Sequence, residues 1–285
     1  MLPRNRSRVR SAPVVRPFIV VYAGLVIVAA LMALAQRRWP AGAVPPLDRS
    51  RTNDLAWWVF TPLVTGTLTR IATIGLVFTV ALLAGYGSAA GDLVDAIRAR
   101  IPVKPWTHPL ALQWVELLLA ADFVGYWSHR VRHTAWLWPF HSVHHSPTRL
   151  DGLAAARIHP IDDLLDNVAV GTVTFILASP GVFDLLGATL IVHTVFTHAA
   201  LRWDLGPLRY VLVSPTFHRW HHEVSHATPG CNFAGMFSLW DYLFGTAHNP
   251  PGVVPERFGP GEEVIPETLG GQLAHPFRML AARLR

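Results

Sequence analysis

The sequence predicts an all-α integral membrane helical bundle of four or five spans, with a histidine-rich helical cap at one membrane face. Three observations lead there: several long uncharged apolar runs, 15 histidines drawn mostly into short clusters, and a single cysteine. Hydrophobic residues make up 51% of the 285 and the mean hydropathy is +0.33, which points away from a water-soluble globule.

The chain opens on a basic arm, 1–17, that carries Arg4, Arg6, Arg8, Arg10 and Arg16. Residues 18–35 are uncharged, about the roughly 17–25 helical residues that cross a bilayer core. Arg37 and Arg38 follow as a stop-transfer flank, so the run reads as an anchor rather than a cleaved signal peptide. A second uncharged run, 71–87, has Trp57, Trp58 and Pro62 ahead of it as an interfacial shoulder. The third, 110–127, contains Glu116 and Asp122, which would be expensive against lipid and therefore point into the protein. Runs 164–178 and 182–200, separated by Ser179, Pro180 and Gly181, read as a transmembrane hairpin. The chain thus divides into the arm, a membrane region 18–108, a core 109–249 that includes the hairpin 164–200, and a tail 250–285 expected at the surface.

The net charge of +6 comes from arginine-rich ends and loops. On so apolar a chain it suits anionic lipid head groups, and no nucleic-acid-binding module is present. The lone Cys231 excludes an intramolecular disulfide and any multi-cysteine metal site, so a bound metal must be held by nitrogen and oxygen.

The histidines are unevenly placed. His129 and His133 stand four apart, on one face of a helix continuing from the third run. His141, His144 and His145 follow at i, i+3 and i+4, closing near Pro147. Beyond the hairpin His218, His221 and His222 repeat that spacing, with Ser214 as a natural N-cap and Pro215 as first helical residue. From the histidine frequency, one His-x-x-His-His triplet is expected by chance roughly 0.04 times in this length, and there are two. A buried imidazole without a partner costs about 1–3 kcal/mol, a cost that a metal offsets by taking each lone pair. Eight ligands exceed one tetrahedral ion, so two metals is the simplest count, and zinc, copper and iron all suit imidazole. Both regions must then lie on one side of the membrane, as the two-span hairpin between them allows. Arginines on both sides of the first run leave the side of the N-terminus open.

At this point the chain resembles the fatty acid hydroxylase and sterol desaturase superfamily of membrane histidine-cluster oxygenases. The resemblance runs from about residue 110 to Thr246. It rests on Asp122 and the pair His129 and His133, on the triplets at 141–145 and 218–222, and on Arg157-Ile-His159-Pro160. His198 ahead of Gly206-Pro207-Leu208, Asn232-Phe-Ala-Gly, and Leu239-Trp240-Asp241 with Gly245-Thr246 complete it. It implies two iron ions, a four-helix transmembrane core and a ligand cap on the cytoplasmic face. The eight cluster histidines carry over as metal ligands, with His198 a ninth. His159 and His193 are implied as ligands or as groups orienting them, and Asp122 and Asp162 as carboxylates behind the ligands. Ala200 stands where many members have Asn, and Phe233 replaces the usual Tyr.

The resemblance also implies the activity: hydroxylation or desaturation of a lipid C–H bond, with dioxygen as co-substrate. No haem or flavin motif occurs in the chain, so electrons must come from a separate carrier, ferredoxin-like or cytochrome b5-like. Two other readings compete. His222-Glu223-Val-Ser-His226 matches the H-E-x-x-H pattern of zinc metalloproteases, with Glu as general base, though it leaves seven clustered histidines without a role. A non-catalytic metal-binding membrane protein would use the clusters without consuming oxygen.

Overall fold

The computed structural model describes residues 15–42, 48–83, 109–177, 180–224 and 230–285, and every regular element among them is helical. In chain order these are α1 (Val15–Arg38), α2 (Arg49–Phe60), α3 (Gly66–Leu83), α4 (Leu110–Arg132) and α5 (Trp138–His141). There follow α6 (Pro160–Leu177), α7 (Pro180–His198), α8 (Pro215–His221), α9 (Leu239–Leu243) and α10 (Leu269–Arg283). Isolated bridges join Pro40 to Leu201 and Glu223 to Phe258.

The 23 residues of α4 rise about 35 Å at 1.5 Å each, and this helix is long and apolar enough to cross a membrane. It packs most extensively against α6 and also against α7, while α3 lies on α6 and α1 on α7. Leu117, Leu118 and Ala121 of α4 are buried with Leu186 of α7 and Met236, and Trp114, Val170 and Leu190 close around them. Burial of each large side chain contributes about 1.5–3 kcal/mol. Outward faces are also apolar: Val26, Ile27 and Leu31 on α1, Leu68 and Ile71 on α3, Leu112 on α4, and Ile191 and Val192 on α7 are exposed. That pattern is a liability in water and favourable in lipid.

The long helices alternate in direction, with the ends of α1, α4 and α7 and the starts of α3 and α6 at the cap. The chain leaving α1 meets the chain leaving α7, where the Ala41 N–H donates to the Ala200 carbonyl at 2.8 Å. The first turns of α3 and α6 meet at the same end, through Thr69 Oγ1 donating to Asp163 Oδ2 at 2.8 Å. The histidine-bearing turns after α4, before α6 and after α7 therefore gather at one end of the bundle.

Two expectations need correction. Trp57 is not part of an interfacial shoulder. Trp57 is fully buried and donates to Gln272 Oε1 at 2.6 Å, and Trp58 Nε1 donates to the Leu153 carbonyl at 2.8 Å. Pro62 lies within continuous helix. A single π-helical turn, Thr61–Thr65, joins α2 to α3, and its wider hydrogen-bond spacing accommodates a residue without an N–H. The tail, expected at the surface, is built into the cap: α10 packs on α5 and α2, with Gln272, His275 and Pro276 buried.

Candidate metal centre

Three short segments and two helix ends bring nine imidazoles together. His129 lies in the last turn of α4 and His133 caps it. His141 ends α5, and the turn that follows places His144 and His145 through bonds from their N–H groups to the His141 carbonyl at 2.9 and 3.3 Å. His198 ends α7. Ser214 caps α8 by accepting the Phe217 N–H at 3.0 Å, with Pro215 first in the helix, which sets His218, His221 and His222 on its only turns. These nine are the residues that the sequence singles out as ligands, and the structure sorts them into two groups. His129, His133, His141, His145 and His221 form one; His144, His198, His218 and His222 form the other, with ligand nitrogens in each within 4.8 Å of one another. The groups share a wall, where the rings of His145 and His222 stack with centroids 4.3 Å apart.

The proton positions follow from the partners. His129 Nδ1 lies 2.7 Å from the Phe233 carbonyl, His144 Nδ1 3.1 Å from that of Arg157, His198 Nδ1 2.8 Å from that of Thr194, and His221 Nδ1 2.8 Å from that of Cys231. A carbonyl only accepts, so each of these Nδ1 atoms carries the proton and each Nε2 its lone pair. His141 Nδ1 is turned in the same way toward Asp162 Oδ2 at 3.0 Å. The lone pairs then face one another: His129 Nε2 is 3.0 Å from His141 Nε2, and His198 Nε2 is 3.2 Å from His144 Nε2. His133, His145 and His221 each bury an Nε2 with no partner among the described residues. Converging lone pairs repel unless a cation lies between them. Two nitrogens bonded to one metal at about 2.1 Å stand about 3.0 Å apart at a right angle and about 3.4 Å apart at a tetrahedral one. The observed spacings fall in that range, so the residues fit divalent transition metals.

Burial keeps these rings neutral and ready to bind. It holds His141, His144, His145, His218 and His222 well below the ordinary histidine range, and His221 at about 4.

The other candidates divide. Asp162 stands behind His141 and also receives Arg132 at 3.4 Å. Asp122 touches no imidazole. Its two oxygens accept the Met236 and Phe237 N–H groups at 2.8 and 2.7 Å, and Gly235 passes so close that a Cβ there would lie 3.1 Å from Asp122 Oδ1. His159 lies outside both groups with each ring nitrogen engaged, Nδ1 accepting from the Ile161 N–H and Nε2 donating to the Leu273 carbonyl, both at 3.2 Å. His193 is likewise outside the groups and packs on Phe196. His226 lies outside the described residues; His222 of the same motif faces His218, 3.1 Å between Nε2 atoms. Phe233 lays its ring against His133 at 5.1 Å, and Ala200 accepts Ala41 while its own N–H donates to Gln36.

Sequence reading gave no role to several supports. Asp241 accepts the N–H groups of Phe233 and Ala234 at 2.8 and 2.9 Å, and Asn232, fully buried at φ 55°, clamps the Phe217 and His248 carbonyls. Arg157, whose carbonyl orients His144, forms a buried ion pair with Asp54 and donates to Ser50 and Ser146. Glu263 accepts from Trp138 Nε1 at 3.1 Å and lies 2.6 Å from His275. The signal for Asp241 lay in the Asn232 and Leu239-Trp240-Asp241 motifs; that for Arg157 in its place beside His159.

Comparison with known proteins agrees with this construction. A family model described as fatty acid hydroxylase matches residues 114–246. An ornithine lipid hydroxylase of Rhizobium tropici is 33% identical over 264 residues, 91% of this chain and 75% of that protein. A very-long-chain aldehyde decarbonylase of Oryza sativa subsp. indica is 32% identical over 53% of this chain and 57% of its own, and an alkylglycerol monooxygenase of Xenopus tropicalis 31% over 55% and 34%. The chain therefore spans about half or less of the length of the last two. No solved structure matches it. With its matched segment enclosing all nine imidazoles and one relative aligned along nearly the whole chain, this protein belongs to the fatty acid hydroxylase family.

Proposed function

We propose that the chain is a membrane-bound di-iron oxygenase that hydroxylates a C–H bond of a lipid, using dioxygen and electrons from a separate ferredoxin-like or cytochrome b5-like protein. The observation that carries the reading is the pair of imidazole groups with lone pairs turned inward, in a chain of this family. One metal is assigned to His129, His133, His141, His145 and His221, and the other to His144, His198, His218 and His222. Hydroxylation rather than desaturation follows the names of two relatives, an ornithine lipid hydroxylase and an alkylglycerol monooxygenase. Bound in these groups, two irons supply activation of dioxygen and removal of hydrogen from an unactivated carbon.

The residues of the chain do the rest. Carbonyls of Phe233, Arg157, Thr194 and Cys231, with Asp162, fix the tautomer of five rings and raise their basicity as ligands. The buried ring of Phe233 and the half-buried ring of Trp138 beside His133 keep water from the site. In this reading the site sits at the end where the long helices meet the cap, and a lipid reaches it without leaving the bilayer. In this reading α1, α3, α4, α6 and α7 are the spans, α1 runs toward the cap, and Arg37 and Arg38 lie on its side. The cap is assigned to the cytoplasmic face.

Anaerobic purification with metal analysis, followed by lipid profiling of cells with and without expression under air, tests this. Two irons per chain and an oxygen-dependent hydroxylated lipid are expected. Stoichiometric zinc with peptide cleavage, or iron uptake without oxygen consumption in the presence of donor and lipid, would sink it.

A further inference from the structure

Arg219 is 4% exposed, yet no carboxylate of the described residues pairs with it. Its guanidinium donates to the Leu150 carbonyl at 2.9 Å and lies over the Phe258 ring at 4.5 Å, while its Nε has no partner among the described residues. The nearby Asp151 is occupied by Arg51 at 3.6 Å and by the Leu153 N–H at 2.9 Å. Asp151 and Glu256 act on Arg219 only through space, since neither makes an ion pair with it, and a buried guanidinium left short of acceptors is costly, so such a group marks a place where an anionic acceptor is supplied from outside.

Arg219 lines a hollow of about 360 Å³ with Ala41, Arg149, Ala200 and Glu256. A second hollow of about 380 Å³ shares Ala41 and Glu256 with it and contains Arg202 and Thr216. Thr216 is 3% exposed and its Oγ1 is also unpaired. Thr216 and Arg219 are one turn apart on α8, so one helix face sets both side chains into the walls of the two hollows, which adjoin at Ala41 and Glu256 as one groove. Asp204, on its wall, is spent on Arg209 at 3.2 Å.

The groove lies where α1 and α7 end, at Arg38 and His198, and beside the Trp39 and Trp203 pair, whose centroids are 5.3 Å apart. Paired tryptophans at the ends of apolar helices belong at the head-group level of a bilayer. We infer that this groove binds the polar head of a membrane lipid, with the anionic group, carboxylate or phosphate, on Arg219 and Arg202 and a hydrogen bond from Thr216. This rests on the oxygenase reading for its consequence. Arg219 directly follows His218, so a head held here anchors a lipid beside the four-histidine group and makes the head a determinant of which lipid is taken.

The test is ligand-induced thermal stabilisation of the full chain in detergent, which needs no turnover. Probes are phosphatidylglycerol, an amino-acid lipid with a free carboxylate, diacylglycerol, and inorganic phosphate. The two anionic lipids are expected to stabilise the protein, diacylglycerol to have no effect, and phosphate to require far higher concentration. Arg219→Gln should weaken lipid binding about tenfold, the loss of one charge-assisted hydrogen bond, and Arg202→Gln, at an exposed position where folding is not at stake, several-fold. Equal stabilisation by diacylglycerol, or unchanged affinity in both variants, overturns the inference. Phosphate acting as well as the lipids makes this a free-anion site and overturns the lipid assignment. Metal analysis of the same samples keeps the two readings apart. Iron present without head-group discrimination sinks this inference alone, and discrimination without iron sinks the oxygenase alone.

Discussion

The Phe233 carbonyl accepts the Nδ1 proton of His129 at 2.7 Å. That carbonyl is fixed from behind, because Asp241 accepts the N–H groups of Phe233 and Ala234 and the Thr246 hydroxyl, while Asp122 takes those of Met236 and Phe237. Two carboxylates from α4 and α9 thus hold one loop whose carbonyls aim two imidazoles, His129 and His221.

Asp241→Ala should therefore leave two buried N–H groups unpaired, at about 1–3 kcal/mol each. Thermal unfolding should fall accordingly, and metal content should fall in the five-histidine group. Asp241→Asn, which keeps an acceptor, should lose less of both. Full metal retention in a destabilised Asp241→Ala would show that the loop supports the fold without positioning the ligands.

The buried Arg157 and Asp54 pair couples α2 to the carbonyl that orients His144. Removing one member leaves a buried charge uncompensated and costs about 3–5 kcal/mol. Asp54→Ala should thus be far more harmful than a double replacement of both residues by leucine, measured by urea or thermal unfolding of the purified chain. Equal losses in the single and double variants would contradict this.

The clusters were legible because a spacing of three and four puts side chains on one helical face, and Ser214 with Pro215 marks the start of α8 by chemistry alone. The helices α6 and α7 were legible from the apolar runs 164–178 and 182–200. The division of nine imidazoles into five and four was not, since His145 and His144 are adjacent in sequence yet join different groups. Carbonyl partners such as those of Phe233 and Thr194 carry no sequence signal, because every residue has one. Asp122 and Asp162 looked alike as candidates, and only tertiary packing gives Asp162 an imidazole and Asp122 a backbone turn. Trp57 was misjudged because tryptophan beside an apolar run suggests an interface, whereas its partner Gln272 is contributed by the far end of the chain.

Acid should destabilise the metal-free chain. Burial holds His221 at about 4 and its neighbours His144, His145, His218 and His222 well below the ordinary range. The unfolded chain takes up protons on these rings near pH 6.5, so below that pH it binds more protons than the folded one and stability falls. The stabilisation is full above about 6.5 and is lost as pH drops toward about 4. Thermal unfolding of chelator-treated protein across that window measures it. With metal bound the loss should begin at lower pH, because the lone pairs are already taken.

The two groups make metal loss separable. His133 and His145 contribute an Nε2 to the five-histidine group, whereas His198 and His218 belong to the other, and the rings meet only through contacts such as His145 on His222. His133→Ala leaves four imidazoles in its group, enough to hold an ion, so metal content should stay near wild type with weaker retention against a chelator. His198→Ala leaves three, so solvent must complete the coordination, and metal content after dialysis against chelator should fall toward half. His144→Ala should do the same and also abolish product, because it removes both a donor and the ring aligned by Arg157. Metal analysis after timed dialysis against chelator separates these outcomes, and equal loss of both ions in all three variants would mean that the nine imidazoles act as one site rather than two.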